Sequence, residues 1–196
     1  MQDGTTIGVN DRIALHVREL RAARGLSLDG LAQECGVSRS MISLIERAES
    51  SPTAVLLEKL AAGLDVPVAA LFDAPEPAGN PVARAAEQAH WRDPESGYTR
   101  RTVSPTGTAS PIQIAEVSFP PGARVAYESG GRDSPVHQQV WVLEGTIEVT
   151  CGGEPHRLAA GDCLALVLDG PVVYHNPALE TARYAVVIAR EPRHRR

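Results

Sequence analysis

Three side chains with hydrogen-bonding groups, Arg39, Ser40 and Ser43, recur on one side of a helical repeat in the first quarter of the chain. An arginine can donate two hydrogen bonds to one base edge of DNA, and a serine hydroxyl can donate or accept one. The apolar residues of the same repeat occupy the opposite side. The pattern predicts an amphipathic helix that fits the major groove of a DNA duplex.

Two short helices and a tight turn must position these side chains. Ser27 is a good N-cap for a helix over residues 28–35, and Gly36 suits the left-handed conformation that ends a helix. Ser38 is the predicted N-cap of the second helix, whose first turn offers free N–H groups to a phosphate. The arrangement is a helix-turn-helix. Such a spacing also serves as a packing device or a protein-interaction module, and that alternative stays open.

Residues 12–72 resemble the phage-repressor type of helix-turn-helix domain, the xenobiotic-response-element regulator family. The segments that carry the resemblance are RELRAARGLSL, LAQECGVSRSMISLIER, SPT at 51–53, LLEKLAAGLDVP and LF at 71–72. The resemblance implies a double-stranded DNA operator as the partner. It also implies that hydroxyl and basic side chains contact the bases or phosphates of that operator: Ser27, Ser38, Arg39, Ser40, Ser43 and Arg47.

The family pattern further implies a partly buried ion pair between Arg21, in the first helix, and Glu46, at the end of the DNA-reading helix. At two positions the chain departs from the pattern. Leu28 stands where many relatives have a polar residue that reaches DNA, and Ala48 stands where a glycine is usual. The resemblance therefore assigns no DNA contact to these two positions.

Length and composition favour two domains. Each half of the 196 residues is large enough for its own core, and a segment rich in proline and glycine, DAPEPAGNP, follows Phe72. We predict a helix-turn-helix domain at 1–73 with five helices, the first starting at the N-cap Asn10 and the last ending near Phe72. A linker and lead-in segment is predicted at 74–107, with a short helix at 82–90.

The net charge of −5 does not mark the chain as a nucleic-acid binder, but the charge is unevenly distributed. Between Arg12 and Arg47 six arginines stand against four acidic residues, a local balance of +2. Such a weak field predicts modest nonspecific affinity and a need for two copies on an operator. The sequence has no apolar run of membrane-spanning length and no signal-peptide pattern, so we expect a cytoplasmic protein.

Beyond the lead-in segment, short apolar runs alternate with Gly, Pro and Asp turns at intervals of about ten residues. The runs predict six strands: 112–119, 136–143, 146–151, 156–158, 163–168 and 183–189. Strands spaced in this way indicate an all-β sandwich or barrel, which we place at 108–190. Residues 191–196 form a basic tail that is solvated or touches DNA. Three widely spaced cysteines, odd in number, argue against a disulfide framework.

The second domain resembles a small cupin, a double-stranded β-helix barrel. The resemblance is carried by FPPGARV at 119–125, HQQVWVLEGTIEV at 137–149, AAGD at 159–162 and HNP at 175–177. Catalytic cupins hold a divalent metal with three histidines and a glutamate. In this chain Gln138 and Val172 stand at two of those positions, and GGRDS at 130–134 supplies no histidine. The comparison therefore implies no metal, no cofactor and no catalytic residues.

An alternative metal site stays open if the strand register is shifted. His137 and His175 are close to the expected ligand positions, and Asp133 is available as a third ligand. The chain would then be a metal-dependent enzyme, a dioxygenase or isomerase, fused to a DNA-binding domain. The simpler expectation for each histidine is a hydrogen-bonded residue of the barrel wall.

A barrel without metal still offers a mouth and an interior to a ligand. The polar and aromatic residues predicted at that mouth are Tyr127, His137, Gln138, Tyr174 and His175. Two members of this set conflict, because the alternation of side chains along a strand puts His137 and Gln138 on opposite faces. The same alternation puts Trp141 on the face of His137. For Trp141 we therefore expect a role in the core or in a dimer interface.

These features predict a homodimeric transcriptional regulator. Its helix-turn-helix heads bind a palindromic operator, while a cupin-like barrel dimerises and senses a small-molecule effector. An effector that prefers one barrel geometry would shift the placement of the two heads, and a coupling of about 1 to 3 kcal/mol changes operator affinity roughly 5- to 150-fold. A further alternative treats the barrel as a dimerisation module alone.

Overall fold

A computed structural model of the chain describes residues 8–66, 68–72, 80–108, 110–128 and 136–190. The chain divides into two compact units, Met1–Pro75 and Glu76–Arg196. The predicted basic tail at 191–196 and the candidate ligand Asp133 lie outside the described residues. Within the described ranges, no helix has the length and apolar content needed to cross a membrane.

The first unit is helical. Its α-helices are α1 (Val9–Ala23), α2 (Leu28–Cys35), α3 (Arg39–Glu46) and α4 (Ala54–Gly63). Val68–Phe72, predicted as the last of five helices, is a 3-10 helix. Within the described residues of this unit, the prediction of five helices is therefore corrected to four α-helices and one 3-10 helix, because a five-residue segment closes little more than one turn.

The first helix starts earlier than the sequence predicts. The N-cap of α1 is Gly8, which has no side chain to cap the helix, whereas the prediction places the cap at Asn10. The Asn10 side chain instead accepts a hydrogen bond of 3.3 Å from the Ser51 hydroxyl. A residue with capping ability thus lies in the first turn of α1 and makes a tertiary contact there.

An aliphatic core holds the helices together and leaves one side of α3 in solvent. Val17 of α1 and Ile42 of α3 are fully buried in this core. The close approach of α4 to α2 depends on Gly63, because a Cβ atom at that position would lie 2.6 Å from the Cβ of Cys35. Packing rather than helix propensity therefore fixes the position of the short helices α2 and α3.

The described part of the second unit contains ten antiparallel strands. They are β1 (His90–Arg92), β2 (Thr99–Thr102), β3 (Ile112–Phe119), β4 (Arg124–Tyr127), β5 (Val136–Glu144), β6 (Thr146–Cys151), β7 (Glu154–Ala159), β8 (Cys163–Val167), β9 (Val172–His175) and β10 (Ala182–Arg190). One sheet has the order β1-β2-β3-β10-β5-β8 and the other the order β4-β9-β6-β7. Among these strands no hydrogen-bonded ladder joins the two sheets, so they face each other without forming the closed ring predicted for a barrel.

All six predicted strands are present, as β3, β5, β6, β7, β8 and β10, with ends within two residues of the prediction. The four missed strands are only three or four residues long. Two of them, β1 and β2, lie in the predicted lead-in segment 74–107 and extend the six-stranded sheet next to β3. The β unit thus begins before residue 108, and the helix predicted at 82–90 is reduced to a 3-10 turn at Ala85–Glu87.

Candidate functional site

The N-terminal end of α3 is exposed and carries the residues predicted to contact bases. Ser38 caps the helix, because its Oγ accepts a hydrogen bond of 3.3 Å from the backbone N–H of Met41. Arg39 and Ser40 follow on the exposed side, while Ile42 packs in the core. The predicted cap is confirmed, and α3 presents its polar side and the free N–H groups of its first turn to solvent.

The turn between α2 and α3 sets the direction of α3. Ser27 caps α2 by accepting a hydrogen bond of 3.0 Å from the backbone N–H of Gly30. Gly36 ends α2 with a φ of 65°, the left-handed conformation predicted for it. Because a capping serine accepts through its oxygen, the Ser27 hydroxyl keeps its own proton and can still donate to a phosphate.

Each of the two arginines predicted to contact DNA pairs with a carboxylate on the surface. Arg39 Nε lies 3.4 Å from Asp29 Oδ1. Arg47 donates two hydrogen bonds of 2.8 Å to Glu49 and one of 2.7 Å to the Ser43 hydroxyl. The bonds between Arg47 and Glu49 raise the pKa of the arginine and lower the pKa of the carboxyl. Because these side chains are more than half exposed, the pairs are weak in water and a phosphate or base can replace the carboxylate.

The ion pair implied for Arg21 and Glu46 is confirmed. Arg21 Nε and Nη2 donate to the two carboxylate oxygens of Glu46 at 2.6 and 2.8 Å, and Nη1 donates to Leu26 O at 2.9 Å. The hydrogen bond to Glu46 raises the pKa of Arg21, while burial acts in the opposite direction. One guanidinium thus ties the end of α3 to α1 and to the segment before α2.

Both departures from the family pattern lie at helix ends. Leu28 is the first residue of α2 and is half-buried. Ala48, shortly after α3, adopts a φ of 56°, which a glycine would adopt without strain. An alanine in this left-handed conformation costs about 1 kcal/mol relative to a glycine.

Three of the five predicted ligand-binding residues meet in the interior between the two sheets. Gln138 Nε2 donates a hydrogen bond to the Tyr174 hydroxyl. The rings of Tyr127 and Tyr174 lie edge to face, with centroids 6.0 Å apart. Because Gln138 belongs to β5 and Tyr174 to β9, the hydrogen bond connects one sheet to the other.

His137 and His175 do not lie in this interior, which corrects their placement among the mouth residues. On β5 burial alternates, so Gln138 faces inward and its neighbour His137 faces outward. On β9 the same alternation turns His175 outward, where its Nδ1 lies 3.9 Å from Glu148 Oε1. The two histidines therefore occupy the outer faces of different sheets. In the part of the chain that the structure describes, no group of three or more His, Cys, Asp or Glu side chains is placed to hold a metal ion.

The interior also contains two tyrosines that the sequence analysis does not single out, so all four tyrosines of the chain form one cluster. Tyr98 OH lies 3.2 Å from Tyr127 OH, and the Tyr184 ring stacks on Tyr174 with centroids 5.9 Å apart. We call these four residues the tyrosine cluster. The sequence gives no signal that Tyr98 lies in this interior, because the residue falls in the predicted lead-in segment. For Tyr184, the alternation of side chains along the predicted strand 183–189 is such a signal.

Burial keeps the tyrosine cluster uncharged. It raises the pKa of Tyr98 to about 12 and raises the pKa values of the other three tyrosines above their ordinary value. For Tyr98, the hydrogen bond with Tyr127 and the positive charge of Arg100 oppose this rise, while Asp93 adds to it. Arg100 is itself buried and donates a hydrogen bond of 3.1 Å to Thr102 Oγ1. At neutral pH the cluster therefore consists of neutral phenols next to a buried guanidinium.

Comparison with known proteins finds relatives along both units. Residues 17–71 match the helix-turn-helix family HTH_3. The HTH-type transcriptional regulator SutR of Escherichia coli (strain K12) is 29% identical over 172 residues, which are 88% of this chain and 91% of that protein. This similarity extends well beyond the helical unit.

Two solved structures are similar to the chain. The crystal structure of an HTH_3 family transcriptional regulator from Vibrio cholerae covers 94% of this chain and 98% of its own, with 29% identity and a TM-score of 0.75. The Cupin_2 domain of an XRE family transcriptional regulator from Enterobacter cloacae covers 49% of this chain and 98% of its own, with 21% identity and a TM-score of 0.44. The first of these similarities spans both units of the chain.

Proposed function

We propose that the chain, which is similar to HTH-type transcriptional regulators along both of its units, is a transcriptional regulator that binds an operator as a homodimer and senses a small molecule. The proposal assigns DNA reading to α3, dimerisation to the outer face of the six-stranded sheet, and sensing to the interior of the β unit. It gives the chain no enzymatic reaction of its own.

The observation that carries the DNA-binding part is the exposed, serine-capped start of α3. The apolar side of this helix is buried, and the pair between Arg21 and Glu46 holds its end. Base recognition needs side chains held in a fixed geometry, which such anchoring supplies. We assign base contacts to one set of residues and phosphate contacts to another: Arg39, Ser40 and Ser43 for bases, and Ser27, Ser38 and Arg47 for phosphates.

Replacing Arg39 by alanine tests this assignment. The operator is first selected from random duplexes with the full chain, and affinities for the selected and a random duplex are then compared. An arginine bound to a base edge contributes to one sequence only, so Arg39→Ala is expected to weaken operator binding by about 1 to 3 kcal/mol and to relax the preference at one position. The affinity for the random duplex should fall by less.

Arg18→Ala is the control, because it removes the same charge from the exposed face of α1. It is expected to affect operator and random DNA alike and only weakly. Equal losses on both duplexes for Arg39→Ala would reduce Arg39 to a phosphate contact. Failure of the wild-type chain to select any sequence would contradict the regulator proposal as a whole.

The proposed partner of the outer face of the six-stranded sheet is a second copy of the chain. Three large apolar side chains on that face are exposed: Ile112 on β3, Trp141 on β5 and Val167 on β8. The pairing register places Ala185 and Val187 of β10 on the same face between them. These five side chains carry no charge. The charged groups beside them on the same face, Glu116 with Arg101 and Arg183, are paired with one another, which limits like-charge repulsion between two copies across a twofold axis.

Trp141→Asp is expected to convert the dimer into a monomer. A twofold interface would bring two carboxylates into an apolar contact, where each loses its hydration. Sedimentation equilibrium of the full chain measures the mass. Leu179→Asp is the matched control, because Leu179 is 95% exposed and its substitution should leave the mass unchanged. A dimer that survives Trp141→Asp would show that the interface lies elsewhere.

The sensing part of the proposal is supported by the polar and aromatic character of the β-unit interior. Tyr127, Gln138 and Tyr174 combine apolar ring surface with hydrogen-bonding groups, a mixture typical of small-molecule sites. The hydrogen bond between Gln138 and Tyr174 joins two sheets, so a ligand that alters it acts on both. Through the dimer, such a ligand changes the spacing of the two DNA heads.

A further inference from the structure

The exposed side of α3 offers hydrogen-bond donors and lacks the amides and carboxylates that accept from DNA bases. The helix has the sequence RSMISLIE, which contains no asparagine, glutamine or aspartate. Its one carboxylate belongs to Glu46, which is 8% exposed and accepts two hydrogen bonds from Arg21. Arg39, at the start of the helix, is 63% exposed, and a guanidinium can only donate.

The hydroxyl of Ser43 is also directed toward donation. It accepts a hydrogen bond of 2.7 Å from Arg47 Nη1, so its own proton points away from the guanidinium. The other end of Arg47, Nε and Nη2, donates to Glu49. A phosphate can replace Glu49 at that end while Nη1 stays on the Ser43 oxygen. Ser43 therefore remains a donor even when Arg47 contacts the DNA backbone.

The four bases differ in what they present to such donors in the major groove. Guanine presents two acceptors, N7 and O6, whereas cytosine presents an amino donor and adenine presents one acceptor beside one donor. A guanidinium can bind both guanine acceptors at once, and the other bases offer it no such pair. Ser40 adds no preference, because its hydroxyl lies 3.2 Å from the Ser38 hydroxyl and either oxygen can be the donor.

We propose that α3 reads a guanine: Arg39 donates to its N7 and O6, and Ser43 donates to a second acceptor further along the groove. This inference rests on the proposed DNA reading by α3 and adds the class of base in the operator. Arg39 and Ser43 are four residues apart, so their Cα atoms are separated by about 6 Å along the helix axis, or roughly two base pairs. Each half-site therefore contains a guanine with a further acceptor within about two base pairs.

Replacing single guanines of the selected operator by 7-deazaguanine tests the base. This analogue pairs normally but has a C–H group in place of N7. At one guanine of each half-site the replacement is expected to weaken binding of the full chain about tenfold, because a hydrogen bond from a charged donor is lost. Half-sites without a guanine, or an affinity that no such replacement lowers, would overturn the inference.

Variants assign the contact to Arg39. Arg39→Ala should bind the normal and the 7-deazaguanine duplex with equal affinity, because the donor to N7 is absent. Arg18→Ala, which removes the same charge from the exposed face of α1, should keep the tenfold difference. A tenfold difference that persists in Arg39→Ala overturns the inference. A wild-type chain that selects no sequence contradicts the proposed function instead, so the two failures are distinguishable.

A second selection from random duplexes tests the part assigned to Ser43. With Ser43→Ala, the selected sequence should keep the guanine and lose the preference at the second acceptor, since no hydroxyl is left to donate there. Selection of the same sequence by Ser43→Ala and by the wild type would overturn the role of Ser43 as a donor.

Discussion

Replacing Glu46 by alanine is expected to lower the free energy of unfolding of the helical unit by about 1 to 3 kcal/mol, because it leaves the partly buried Arg21 guanidinium without its anion. The two side chains are 17% and 8% exposed, so water replaces the lost carboxylate only in part. The bond from Arg21 to Leu26 O would remain, but it satisfies only one of the three donor groups involved. A loss of this size is a large part of the stability of a small domain.

Glu49→Ala is the matched control for this prediction. Glu49 also accepts two hydrogen bonds from one arginine, Arg47, at nearly the same distances, but both side chains are more than half exposed. Urea unfolding of the two variants therefore compares a buried with an exposed pair of the same chemistry, and Glu49→Ala is expected to leave the midpoint nearly unchanged. Similar urea midpoints for Glu46→Ala and Glu49→Ala would contradict the prediction that burial makes the pair of Arg21 and Glu46 the more stabilising one.

The helical unit is the part of the fold that sequence reasoning predicts best, and the reason is locality. Ser27, Gly36 and Ser38 act on neighbours no more than four residues away, so their roles are visible in the sequence and are confirmed. The start of α1 is not predicted correctly, because its N-cap Gly8 has no capping side chain. The pairing of Arg21 with Glu46 is not a local signal, and only the family resemblance implied it.

The β unit was predicted only where strands are long enough to show alternation. The missed strand β4 pairs with β9, about fifty residues further along the chain, and neither has more than four residues. No local pattern marks such a pair, since its hydrogen bonds depend on the rest of the sheet. For the same reason Tyr98 was assigned to a lead-in segment, although it lies in the interior.

His137 and His175 show what the alternation of side chains along a strand predicts about a site and what it does not. The sequence already sets His137 and Gln138 on opposite faces of β5, but it does not say which face is covered. The second sheet covers the face of Gln138, and the side chain of Tyr174 meets it there. The resemblance to a cupin places His137 and Gln138 together at the mouth of the barrel. Consecutive side chains of a strand point to opposite faces, so the two cannot both lie there.

Replacing Asn176 by alanine is the second large effect that we expect, about 3 kcal/mol in the free energy of unfolding of the β unit. Asn176 follows β9 and is fully buried. Its Nδ2 donates to Phe119 O at 3.0 Å and to Glu180 O at 2.8 Å, and its Oδ1 accepts from Ala178 N at 3.0 Å. Alanine leaves two carbonyls and one N–H without this partner, and each such group costs about 1 to 3 kcal/mol when it stays buried.

Two further variants distinguish the loss of the Asn176 hydrogen bonds from a general destabilisation by substitutions in loops. Asn80→Ala removes an exposed asparagine whose Oδ1 accepts one hydrogen bond, from Val82 N at 2.9 Å, and should leave the urea midpoint nearly unchanged. Asn176→Asp keeps the acceptor for Ala178 N but turns a carboxylate oxygen toward two carbonyls, so it should destabilise at least as much as alanine. A stable aspartate variant would show that the donated bonds contribute little.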